Sequence, residues 1–430
     1  MALRILLLLF ISIAFVQAHE AEHKDREISI RKDIDIFGKQ VDKEVTTVNK
    51  LKNMFSEGKV SGQLRSMYVG YDQKENTAED TYATALGGTF KYELAEFNGF
   101  NAGIAFVTSH DIAFATGDAA KQNSELSSVR GNYTELSEAY INYKNAGFNL
   151  RLGRQLIDTP LADADDSLMV PNTFEAYILI YDLDKITLTL GNIQEWQGAS
   201  TGLGYFEDGL KRKSSWVKTG NRGTYLAGIE YDNLFEVNAW YYDISQKENA
   251  TKASYIDIGK HTGESDIRFH SSVQYLHQSK NDTSDIQADI LGALIEFVAY
   301  SAGFNISYNK SKKYNAKRSF TGMGGGTLYT NMDTMKLDTI TEDREAESFV
   351  LGLVYHSNNW NFLYAYGDFE GKENSLGEKV HMTEQNIAFE YTFNEELIVA
   401  GIYVIQNDKL NLVNTANDFE KLQVMVKYNF

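Results

Sequence analysis

The sequence has no cysteine and only two prolines, and past its first few residues it has no apolar run approaching about 20 residues. Each absence excludes something. Without cysteine there is no disulfide framework, no thiolate metal centre and no cysteine nucleophile. Without a long apolar run there is no helical membrane span. Positive charge is also scarce: 41 Lys and Arg stand against 59 Asp and Glu, a formal net charge of -18. That balance argues against a nucleic-acid partner. The scarcity of proline has a structural sense. Proline cannot donate to a β ladder, so a chain made mostly of paired strands has little room for it.

What is present fits such a chain. There are 26 Tyr and 24 Phe, residue types that suit a pleated surface. The first 18 residues carry Arg4, an apolar stretch from Ile5 to Val16 and the small-residue site Val16-Gln17-Ala18. This is the pattern of a signal peptide over 1–18. Residues 19–58 form a polar segment in which Ile28, Ile34, Phe37, Val41, Val45, Val48, Leu51 and Phe55 recur at three- and four-residue steps. That spacing predicts a helical or partly disordered periplasmic segment.

At Lys59 the period changes from about 3.6 to 2. Val60, Leu64 and Tyr68 fall on one face, Gln63 and Arg65 on the other. The final strand is the cleanest: Leu422, Val424, Val426, Tyr428 and Phe430 alternate with Lys421, Gln423, Met425, Lys427 and Asn429. The connections alternate short and long, the long ones including 109–132, 156–172, 195–223 and 311–346. Dyad strands of about 10 residues with this loop asymmetry mark an outer-membrane β-barrel. Residues 59–430 are therefore expected to form an all-β, transmembrane antiparallel barrel of about 18 strands, with its outer face against outer-membrane lipid. Turn placement is least defined from Lys252 to His277.

Both prolines, Pro160 and Pro171, lie in the third long connection. This stretch also carries Asp158, Asp163, Asp165 and Asp166, and no basic residue occurs from Gln155 until Lys185. A proline-bearing acidic loop between regular strands is read as a structured loop that folds inward and narrows a pore. Calcium is the alternative for its oxygen ligands, although the glycine and terminal Glu of a regular calcium loop are missing. Arg65, Arg151, Arg154 and Arg268 are the candidate basic residues lining the path, opposite the acids. The run Gly322-Met323-Gly324-Gly325-Gly326 lacks the Gly-Lys-Ser/Thr ending of a phosphate loop, and reads as a flexible or close-packed part of a long outer loop. The histidines are scattered, so no metal, no cofactor and no Ser/His nucleophile are expected, and the chain is not read as an enzyme.

The stretches Ser61–Tyr68, Ala85–Phe106, Arg151–Ala176 and Gly322–Asp333 resemble the OprD-like outer-membrane porins, in the form found in campylobacter-type bacteria. The resemblance spans about Lys59 to Phe430 and is most specific over Arg151–Ala176. It implies an 18-stranded barrel, monomeric to trimeric, with the third outer loop folded inward. It also implies diffusion of small solutes, often carboxylates, along an Arg/Lys ladder to which Arg65, Arg151 and Arg154 come nearest. The acidity of the loop departs from an anion-selective pattern. The expectation is therefore an outer-membrane porin passing small hydrophilic solutes and ions, with a homotrimer among the expected assemblies. The competing class is an adhesive or structural surface barrel with binding loops.

Overall fold

The computed structural model describes residues 46–430 apart from 75–77, 113–117, 119–120, 124, 127–131, 199–205, 208–210, 213–215, 265, 282, 395 and 411–417. The expected signal peptide and the polar segment up to residue 45 lie outside the described residues.

Eighteen long strands dominate the chain: β1 Lys59–Gln73, β2 Thr81–Glu93, β3 Phe100–Asp111, β4 Tyr133–Asn145, β5 Phe148–Gln155 and β6 Thr173–Leu183. They continue as β7 Ile186–Gln197, β8 Thr224–Asp232, β9 Glu236–Ile244, β10 Thr251–Glu264, β11 Ile267–Gln278 and β12 Ala288–Ala299. The last six are β13 Ala302–Ser311, β14 Ala346–Ser357, β15 Trp360–Gly371, β16 Val380–Thr392, β17 Leu397–Asp408 and β18 Phe419–Asn429. Each pairs antiparallel with the next, and β18 pairs back to β1, with Phe419 opposite Gln73 and Asn429 opposite Gln63. Closure leaves no open edge, which a lipid environment requires because it offers no water to an unpaired N–H or C=O. At the seam, Gly62 and Phe430 exchange two backbone hydrogen bonds of 3.1 Å.

The side chains show which face is which. Leu64, Ile141 and Leu291 are all more than half exposed, whereas Gln63, Asn305, Glu384 and Lys427 are buried. Apolar residues face out and polar ones face in, the inverse of a water-soluble sheet and the pattern of a lipid-embedded barrel. Phe100 against Tyr143 (ring centroids 4.5 Å apart) and Trp360 against Tyr391 (4.6 Å) lie beside the short turns, where an aromatic girdle meets the membrane interface.

Short turns gather at one end. In Asn98-Gly99 and Ala146-Gly147 both residues have positive φ, the two-residue turn whose twist matches the flanking strands. The long connections gather at the other end, the outer side in such barrels. The stretch Lys252 to His277 resolves as most of β10 and β11. Its inward face carries Ala253, Tyr255 and Gly259, so the hydropathy contrast between faces fades there. In the described part of the polar segment, Thr47–Val48 pairs in parallel with Glu96–Phe97, and only Asn53–Ser56 is helical. Leu51 and Phe55 are exposed, so the helical spacing expected through Phe55 yields a single turn here: Val48 is committed to strand pairing and packs with Met54 and Ala95.

Candidate functional site

The third long connection, 156–172, is built from local turns. Asp158–Thr159 pairs with Ala162–Asp163 across Pro160-Leu161, where the fixed φ of proline suits a tight turn. The Asp163 carboxylate accepts the Asp165 N–H (3.0 Å), and the Asp165 carboxylate accepts the Ser167 N–H (3.1 Å). The Asn172 side-chain amide donates to the Asp163 carbonyl at 3.1 Å. The acidic run therefore stiffens its own backbone, as short Asp side chains do in turns.

Its long-range contacts reach inward-facing side chains from distant strands. The Arg65 guanidinium on β1 pairs with the Asp166 carboxylate and donates to the Asp166 carbonyl (3.2 Å), with Gln63 accepting from its Nε at 2.9 Å. Arg65 and Asp166 are both buried. Gln423 on β18 donates to the Ser167 carbonyl (3.1 Å), and Tyr242 on β9 accepts the Leu161 N–H (3.3 Å). In the ring of eighteen, β9 lies eight places from β1 and nine from β18, which is the opposite wall.

A second connection, 312–345, meets the first. Asp163 donates its N–H to the Met323 carbonyl (3.1 Å), and Met323 donates its own to the Leu161 carbonyl (2.9 Å). The glycine run is close-packed here. Gly324 has φ +101°, and a Cβ on it would sit 2.2 Å from the Asp163 carbonyl oxygen. A Cβ on Gly325 would sit 2.1 Å from an Asp163 carboxylate oxygen. Only glycine allows this approach. The same connection is tied to the wall: Tyr329 donates to Asp257 (2.5 Å), Glu384 accepts the Met335 N–H (2.6 Å), and Lys421 reaches Asp333 (2.9 Å). These contacts were not read from the sequence. The one signal was the glycine run itself, whose partner lies more than 150 residues earlier.

Between the two connections lies a cavity of about 820 Å³. Six of its lining residues are acidic, Asp158, Asp163, Asp165, Glu230, Asp257 and Asp333, and the one basic lining residue is Lys336. Burial pushes the Asp163 carboxyl up to about 6, helped by the charges of Asp158 and Asp165, while the Asp165 N–H and Lys336 pull it down. Charges of one sign lining a cleft with low-dielectric walls reinforce one another's field.

The four predicted acids divide. Asp158, Asp163 and Asp165 line the cavity, and Asp166 is turned away into the pair with Arg65. The four predicted basic residues do not come together. Arg65 is sequestered in that pair. Arg151 faces inward, over the Tyr140 ring at 4.5 Å, and donates to Asn142. Arg268 shares the inward face of β11 with Ser272 and Gln274, near the short turns. Arg154 is a correction: it stands in register with Ala139 and Glu175, pairs with Glu175 at 3.2 Å and lies under Trp216. That is the face carrying exposed Ile141, Leu152 and Tyr177. It stands three positions on from inward-facing Arg151, and an odd step in a strand changes face.

Two short patterns bear on the expectation of no Ser/His nucleophile and no metal, having been passed over in that reading. Residues 198–202 spell Gly-Ala-Ser-Thr-Gly, a nucleophile-elbow pattern, and 19–23 spell His-Glu-Ala-Glu-His. The first requires a strand-to-helix turn. It follows β7, but the next described element is the strand Phe206–Glu207, and 199–202 lie outside the described residues. So does 19–23.

A closed eighteen-stranded barrel with an apolar outer belt and a polar lumen is a bacterial outer-membrane β-barrel. Solved structures of OprD/Occ-type porins share this fold. OccK9 (OpdG) of Pseudomonas aeruginosa superposes with TM-score 0.72 at 13% identity, over 88% of this chain and 99% of that one. OccAB4 of Acinetobacter baumannii gives 0.70 at 16% identity, over 87% and 98%. OpdK of P. aeruginosa, solved with vanillate, gives 0.71 at 15% identity, over 87% and 99%. No family model and no curated protein matches the sequence.

Proposed function

We propose that the chain is an OprD-like porin whose third outer loop folds into the lumen, leaving an acidic path for small hydrophilic solutes that favours cations. One observation carries this reading: a single connection, 156–172, hydrogen-bonds to β1 and β18 on one wall and to β9 on the opposite wall. A segment that touches both walls crosses the space between them. The six acids against one lysine around the cavity support the cation preference. The sequestering of Arg65 by Asp166 leaves little of an anion-guiding ladder beside the loop. The likeness of Arg151–Ala176 to campylobacter-type members belongs to the same proposal.

The test is conductance of the purified protein in planar bilayers under a potassium chloride gradient. The expected result is stepwise current with a cation-selective reversal potential. Asp163→Asn combined with Asp165→Asn moves that potential toward zero. Absence of current steps sinks the porin reading. A reversal potential unchanged by the two substitutions sinks the acidic path.

A further inference from the structure

The lumen wall near the short turns carries a second cluster, of different chemistry. Glu236 is the first residue of β9, His261 lies on β10 and His270 on β11. His261 and His270 are direct cross-strand partners, and Glu236 is opposite Gly259, two residues from His261. All three share the inward face: Glu236 alternates in phase with Trp240 and Tyr242, His261 with Tyr255 and Asp257, and His270 with Ser272 and Gln274.

The geometry is specific. The two imidazoles stack, parallel within 4° with centroids 4.0 Å apart, so the exposed His261 ring has to turn before the in-plane lone pairs of both rings meet at one ion. The His261 Nε2 lies 2.9 Å from a Glu236 carboxylate oxygen. The His270 Nδ1 lies 2.9 Å from Glu296 on β12, which leaves its Nε2 as the remaining ligand atom. His270 is only 9% exposed, and its Nε2 has no hydrogen-bond partner. A buried polar atom left unpaired is costly and calls for a reason. Gly259 gives the ring its place, since a Cβ there would sit 2.7 Å from that same Nε2. One donor atom each from Glu236, His261 and His270 come within 4.8 Å of one another.

We infer that this cluster is a binding site for a divalent transition-metal ion, with Glu236, His261 and His270 as ligands and Glu296 as the residue that positions His270. Two imidazoles and a carboxylate suit zinc, copper or nickel rather than magnesium or calcium, which prefer oxygen alone. A carboxylate on the far nitrogen fixes the tautomer and orientation of a metal-binding imidazole. Three protein ligands leave a position open to water or to an exchanging ion. An ion held there adds positive charge to an otherwise acidic path at its inner end.

The test is zinc binding by the full chain in detergent micelles at pH 7.5, by equilibrium dialysis with metal analysis. The expected result is one tight zinc per chain, undisturbed by millimolar magnesium. His270→Gln and His261→Gln each abolish tight binding, and Glu296→Gln weakens it by about tenfold. His261 is the more exposed of the two histidines, so its variant serves if His270→Gln does not fold. No tight zinc in the wild type, or equal affinity in the His261→Gln variant, overturns the site. In bilayers, zinc is expected to lower current through the wild type and not through His261→Gln. The dialysis result holds or fails independently of any current, so the metal site and the porin reading are tested separately.

Discussion

Arg65→Ala offers the sharpest test of the proposed constriction. Arg65 and Asp166 are both buried, and the guanidinium also holds the Asp166 and Leu168 carbonyls. Removing one member of a buried ion pair leaves an uncompensated charge and costs about 3–5 kcal/mol. The barrel ladder does not depend on this pair, so the cost falls on docking of the 156–172 loop. At about 1.4 kcal/mol per tenfold, the population with the loop undocked rises by roughly two to three and a half orders of magnitude. Single-channel recording reads this directly. The wild type is expected to hold one conductance level, and Arg65→Ala to flicker between that level and larger ones. Arg65→Met with Asp166→Leu replaces the pair by apolar groups and restores the quiet channel, because a buried pair is often no more stabilising than good packing. Equal noise in the wild type and in Arg65→Ala would refute docking through this pair.

Two further outcomes follow from the site. Asp163 titrates near 6 because burial disfavours its charge. Lowering pH through about 6 therefore neutralises it and reduces cation preference in reversal-potential measurements, and Asp163→Asn removes that step. The sign of its linkage to loop docking follows: a raised carboxyl value favours the docked loop fully below the free aspartate range, and this contribution is gone once pH exceeds about 6. Gly325→Val drives a side chain into the Asp163 carboxylate. It is expected to separate the two inner connections and raise both conductance and cleavage by added protease, with the barrel itself still folded.

Much of the wall was legible in the sequence, because alternation is a local signal. Lys59 begins β1 as expected, and β18 alternates from Lys421 to Asn429 as written in its residues. The stretch between β5 and β6 was legible as a loop because proline cannot sit in a central ladder. What escaped is non-local. The docking of Gly322–Gly326 on Leu161 and Asp163 depends on a backbone approach that no spacing announces. The grouping of Glu236, His261 and His270 depends on the register of three neighbouring strands. The contrast between Arg151 and Arg154 was open to parity, and the register of Arg154 with Ala139 and Glu175, beside exposed Ile141, Leu152 and Tyr177, assigns the faces.

The seam between β1 and β18 has a bearing on how such a molecule matures. Two anchors of the inner loop straddle it, Arg65 on the first strand and Gln423 on the last, and Gln423 stands 256 residues from the serine it holds. Until the final strand arrives beside the first, the loop has only part of its cradle. In the proposed porin, narrowing of the passage would be completed only when the ends of the chain meet, and an incompletely zipped sheet would carry an unfastened plug.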